Sequence, residues 1–164
     1  TNYWMKASLR IPYFKKNGQI TEPGHGRFLY FHTLKEAKSI MAVLNSSLFY
    51  VWFITYSDGF HLSDNLVKSF PIIPDLFYSE RSVVLASDLE RDIKTNAIFT
   101  SRNTKKDKIE IEAFRIVKSK SIIDQIDTVL AEHYDFTPEE LDFIINYDIK
   151  YRMGKELWED GEEG

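Results

Sequence analysis

The sequence predicts an α+β chain, with a small N-terminal hairpin or sheet packed against helices and a helical C-terminal end. Three observations carry that expectation. Apolar and polar residues alternate imperfectly up to an Asn17-Gly18 pair, which favours positive backbone dihedrals and a tight hairpin turn. Thr33 with Glu36 and Thr137 with Glu140 repeat the reciprocal pattern that opens helices. Ile122, Ile123, Ile126, Val129 and Leu130 form one stripe at helical spacing in the last third.

Taken in order, Tyr3 to Phe14 reads as a strand entering a turn at KKNGQ, and Arg27 to His32, after the breaker cluster TEPGHG, reads as a second strand. Leu34, Ala37, Met41 and Leu44 then place a helix over about 34–45. The apolar run Leu48 to Ile54 fits a buried helix or a buried strand by periodicity; helix is preferred, ending at Ser57-Asp58-Gly59, where glycine suits the left-handed closing position. HLSDNLVKSF is a short polar segment, and the two prolines in Phe70-Pro71-Ile72-Ile73-Pro74 forbid continuous helix. Asp75 begins a helical stretch with Leu85, Leu89 and Ile93 on one face, and SRNTKKDK, 101–108, reads as an exposed loop. Ser121 with Asp124 caps a helix to about His133, Pro138 sits in the first turn of another, and GKELWEDGEEG is an acidic, frayed tail.

The 164 residues, 43% hydrophobic and 15% aromatic, suffice for one principal domain with a core. Cysteine is absent, which excludes disulfide frameworks, thiolate metal sites and cysteine nucleophiles and fits a cytoplasmic setting. The longest apolar run, seven residues, is far below the roughly 20 that cross a bilayer as a helix, so no membrane partner is expected. The start lacks a secretory signal and reads as the edge of an excised fragment. Net charge is −4 but uneven: residues 1–60 carry seven Lys/Arg against three Asp/Glu, and the remainder fourteen against twenty-two. A basic face in the first third is therefore compatible with phosphate binding, as is an ordinary mixed surface.

Catalytic patterns are lacking. No glycine-rich turn followed by a ribose-binding acid exists, and no Asn/Asp-Pro-Pro-Tyr/Phe loop that would hold a flipped adenine. The histidines His25, His32, His61 and His133 have no metal-binding spacing. Asp58 and His61 lack a nucleophile elbow, and a turn-closing acid beside an exposed imidazole explains them more simply. Glu110 and Glu112 alternate on a possible strand and read as a solvated edge, while Glu36-Ala37-Lys38 matches a nuclease pattern only by coincidence, inside a helix.

Residues 44–72, LNSSLFYVWFITYSDGFHLSDNLVKSFPI, combine Asn45-Ser46, the aromatic segment Phe49 to Phe53, Ser57-Asp58-Gly59 and Phe70-Pro71-Ile72 in one order. In this they resemble the TaqI-like C-terminal specificity (target-recognition) domain of type IIG-like restriction-modification adenine DNA methyltransferases. Residues 119–154 are similar to the extreme C-terminal segment of the same proteins, and the two stretches cover about two-fifths of the chain. The resemblance implies a partial DNA target-recognition domain over 1–118 and a C-terminal helical segment with acidic tail over 119–164. It implies a parent enzyme that methylates the adenine amino nitrogen after base flipping, with S-adenosylmethionine held by a catalytic domain outside these residues and cleavage by a nuclease domain as an open alternative.

In that setting the partners are double-stranded DNA and the parent's catalytic domain, and the fragment alone has no cofactor, metal or activity. Arg10, Lys15, Lys16, Asn17, His25 and Arg27 gather around the expected hairpin, and Ser57, Asp58, His61 and Lys68 surround the expected turn. Arg and Lys suit guanine edges and phosphates and Asn suits adenine, although for each residue taken singly a solvated surface position is the simpler reading. The rival reading is a protein-protein module of a restriction-modification complex with little DNA contact, favoured by the acidic surplus after residue 60.

Overall fold

The computed structural model describes residues 7–24 and 26–153, and the fold is α+β. The predicted tail lies outside the described residues. Asn17 (φ 51°) and Gly18 (φ 86°) make the expected turn, between β1 (Phe14–Lys16) and β2 (Gln19–Ile20). Among the described residues of the expected strand only Phe14 lies in β1; residues 7–13 form no regular element, Ala7 bonding Asn45 while Arg10 and Tyr13 bond Glu112.

α1 (Leu34–Asn45) starts with the full capping box: Glu36 N–H donates to the Thr33 hydroxyl, and Thr33 N–H donates back to the Glu36 carboxylate at 3.0 Å. Glu36 is thereby committed to the helix start, which removes it from any nuclease-like role. Ser46, extended and capping the next helix, bends the chain by 64° into α2 (Ser47–Tyr56). Gly59 does adopt positive φ, 71°, but α2 ends two residues earlier at an extended Ser57, so the glycine shapes the following turn instead of closing the helix. The polar segment after it contains a short helix that the sequence reading left out, α3 (Asp64–Ser69), capped by the Ser63 hydroxyl. A 3-10 turn at Pro74–Tyr78 precedes α4 (Glu80–Thr95), whose Leu89 and Ile93 are buried.

Between α4 and α5 the chain leaves the helices as a hairpin, β3 (Ile98–Asn103) and β4 (Lys108–Ala113). The expected loop over 101–108 is largely exposed as read, but only half of it, Thr104–Asp107, is the turn; the rest belongs to the two strands. The antiparallel sheet has the order β2-β1-β4-β3, with Phe14 opposite Ile111, Lys16 opposite Ile109 and Arg102 opposite Ile109. β4 is central, so Glu110 and Glu112 do not form an edge; both carboxylates are paired with cations of neighbouring segments. Arg27 to His32 forms no strand: it has no pairing neighbour, and its large apolar side chains face solvent.

α5 (Lys120–Tyr134) begins one residue before the expected cap, and Asp124 pairs with the Lys120 ammonium instead of being capped by Ser121. α6 (Pro138–Asn146) has the predicted Thr137–Glu140 capping box, and α7 (Ile149–Met153) follows. α1 packs on α4 and α5, and α2 on α5 and α6. Ile123, Ile126 and Leu130 share one buried cluster with Met41, Val43, Phe49 and Leu89, so residues after 119 complete the same core as those before it. Among the described residues no single helix is long and apolar enough to cross a membrane.

Candidate nucleic-acid interface

Lys15 and Lys16 on β1, and Arg10 just before it, are each held by an acid. Arg10 makes a forked contact with Glu112, its Nη1 2.6 Å from Oε2, and lies over the Phe114 ring. That hydrogen bonding holds the Glu112 carboxyl below its ordinary range and raises the Arg10 guanidinium above its own. Lys15 lies 3.3 Å from Glu110, and Lys16 lies 2.9 Å from Asp107.

Asn17 joins two turns that are 90 residues apart. Its Nδ2 donates to Asp107 at 2.8 Å, its Oδ1 accepts from Lys108 N–H at 2.8 Å, and its own N–H donates to the Lys108 carbonyl at 2.8 Å. A base contact by Arg10 or Asn17 therefore requires breaking bonds already made within the sheet. What the sequence reading missed is the company Lys15 and Lys16 keep: Arg102, Lys105, Lys106 and Lys108 share their end of the sheet. The only local signal was the basic run itself, since nothing nearby in sequence says which hairpin it will join.

Arg10 and Arg27 also meet the 57–68 region across a groove of about 650 Å³, floored by Ile40, Met41 and Leu44 of α1 and walled by Leu62, Asp64 and Val67. His25 lies outside the described residues. Phe28, Leu29, Phe31 and Leu34 also line the groove and are exposed, as is the adjacent Tyr30, by 89%.

Ser57, Asp58 and His61 form a turn closed on itself. The Asp58 carboxylate accepts from the N–H groups of Phe60 (2.8 Å) and His61 (2.7 Å) and meets His61 Nδ1 at 2.8 Å. The His61 backbone bond, then its imidazole, then Phe60 N–H hold the Asp58 carboxyl well below the usual carboxylate range. The Ser57 hydroxyl donates to the Phe53 carbonyl at 2.6 Å and is turned away from hydrolytic duty. Lys68 is exposed in the last turn of α3.

Asn45-Ser46-Ser47 is a buried polar junction. The Asn45 amide bonds both backbone groups of Ala7, at 3.2 and 2.8 Å, tying the incoming N-terminal segment to α1. Asp127 of α5 accepts from Ser47 N–H at 2.8 Å, and burial pushes its carboxyl up to about 6. Fully buried Arg152 of α7 donates to the Ser47 hydroxyl and to the Ile145 carbonyl at 3.1 Å, with its guanidinium over the Tyr50 ring. Phe70 stands edge-on to Phe49 and Tyr134, and Tyr134 donates to the Pro71 carbonyl at 2.8 Å.

Among the described residues no group of acids and histidines could hold a metal ion. No protein family, curated protein or solved structure matches the chain.

Proposed function

We propose that the chain is the DNA target-recognition part of an adenine-specific (N6) DNA methyltransferase of the restriction-modification kind. S-adenosylmethionine and the transfer chemistry belong to the parent's catalytic domain, and this chain supplies the opposite wall of the DNA cleft.

The observation that carries the reading is that the two stretches bearing the resemblance, 44–72 and 119–154, interlock. Ser47 binds both Asp127 and Arg152, and Phe70-Pro71 binds Tyr134. Motif residues that share no chemistry along the chain thus share one in space: they fix a scaffold, which is what a recognition domain needs beneath its polar loops. Basic and amide side chains stand on that scaffold's sheet and groove rim, where phosphates and base edges are accessible.

The test is selection of bound duplexes from a randomised pool by the 164-residue chain at low salt. Enrichment of one short adenine-containing sequence is expected; a bound pool without sequence preference would overturn the reading.

One observation favours a protein-protein module instead: the exposed apolar side chains of Phe28 to Phe31 and Leu34, most of which line the groove. Were that run the working surface, Tyr30→Ser with Phe28→Ser would abolish assembly with a partner subunit and leave the selected DNA pool unchanged.

A further inference from the structure

A concentration of positive charge joins Lys15 and Lys16 to cations of a second hairpin some 90 residues on. Lys15 and Lys16 on β1 and Arg102, Lys105, Lys106 and Lys108 on β3, β4 and their turn gather at one end of the sheet, with only Asp107 and Glu110 among them. That is six cations against two acids, in a chain that has 21 Lys/Arg against 25 Asp/Glu. Lys15, Lys16 and Lys108 share the two acids. Among the described residues Arg102, Lys105 and Lys106 have no acidic partner and are exposed.

We propose that the joined tips of the β1–β2 and β3–β4 hairpins form a clamp for the phosphate backbone of duplex DNA, with Arg102, Lys105 and Lys106 as its contacting groups. The proposal rests on the target-recognition reading for its choice of polyanion. Gathering six like charges works against folding through mutual repulsion, and the site has no buried function that would hold them there. The tip is also built to stay in place. Asn17 ties the two turns through three bonds of 2.8 Å, and within the second turn Thr104 N–H donates to the Asp107 carbonyl at 2.8 Å while its hydroxyl accepts from Asp107 N–H at 2.9 Å. A turn ordered before binding loses little further entropy on contact.

Geometry suits a regular anion ladder. Lys16 and Arg102 both stand opposite Ile109, so they lie in one row across three strands. With strands about 4.8 Å apart, the row spans roughly 10 Å. A DNA strand presents one phosphate per about 3.4 Å of axis, so two or three successive phosphates fall within reach.

The experiment is fluorescence anisotropy of a short labelled duplex with the 164-residue chain, at about 50 to 200 mM salt. Lys105→Ala with Lys106→Ala is expected to weaken binding roughly tenfold at the lowest salt and to reduce the slope of log affinity on log salt by about two. Lys105→Arg with Lys106→Arg is expected to retain wild-type affinity and slope. Both positions are exposed, and an unchanged thermal transition confirms that the variants fold. An alanine variant with wild-type affinity and slope, while Arg27→Ala or Lys68→Ala weakens binding, overturns the clamp and leaves target recognition standing. A clamp that behaves as expected on a pool without sequence preference does the reverse. Absence of duplex binding at the lowest salt, or tighter binding of a duplex RNA of the same sequence, also overturns the proposal.

Discussion

The helical body and the sheet are held together by different physics. In the body, Leu89 and Ile123 are fully buried and Ile126 is 2% exposed, in one cluster where α1, α4 and α5 pack together. In the sheet no strand residue is buried, and Ile20 and Phe99 are more than 70% exposed. Its order comes from the ladder, from Arg10–Glu112, Lys15–Glu110 and Lys16–Asp107, and from the Asn17 bridge. A region ordered by polar bonds, with both faces largely uncovered, keeps its charged groups available to a partner. The body contributes rigidity, because hydrophobic burial, unlike ion pairing, is not screened by salt.

The largest expected effect lies in the body. Ile126→Ala empties a closely packed aliphatic position and is expected to lower unfolding free energy by roughly 2–5 kcal/mol in urea titrations. A loss below about 0.5 kcal/mol would place Ile126 on a yielding surface and erase the contrast with the sheet.

Acid should act on the two regions in opposite directions. Burial raises the Asp127 carboxyl from 3.8 to about 6, so its contribution is full below the ordinary value and is lost as pH rises through about 6. Glu112 is depressed chiefly by its Arg10 hydrogen bonds, so its contribution is full above the ordinary 4.5 and is lost as pH falls through its lower folded value. Between pH 4 and 7 wild type is expected to lose up to about 3 kcal/mol relative to Asp127→Asn. Parallel unfolding curves for the two proteins over that range would show that the carboxyl is not perturbed by burial. Amide protection in β1 and β4, taken relative to the intrinsic exchange rate at each pH, should fall on acidification over the range in which the Glu112 carboxylate is protonated.

The smallest effect belongs to the hairpin turn. Gly18 has φ 86° with open space where a Cβ would stand, so Gly18→Ala meets conformational strain alone and is expected to cost about 1 kcal/mol. The loss should appear as faster amide exchange at Lys16 and Lys108, with the helical amides unchanged.

What the sequence made legible was local. Asn17-Gly18 and the two capping boxes carry their instructions within four residues, and each formed as read. Arg27 to His32 was misread because aromatic strand preference is a preference for a pleated, half-covered neighbour, and none pairs with it. Besides β2, the partner of β1 is β4, some 90 residues on, where Glu110 and Glu112 alternate with Ile109 and Ile111. The site was legible to the same extent. The basic character of Lys15 and Lys16 could be read directly, but their union with Lys105 and Lys106 depends on a long-range pairing that local pattern does not encode. The burial of Asn45-Ser46-Ser47 likewise awaits Asp127 and Arg152, far along the chain.

Hydrogen exchange of the 164-residue chain with and without a saturating selected duplex tests the central claim most directly, that the sheet end and the groove rim face DNA while the helical body supports them. The account predicts slowed exchange at residues 15–18, 102–108 and 57–62, with α5 and α6 unchanged. Protection confined to 28–34 or to α6, with the hairpin tips unaffected, would contradict it.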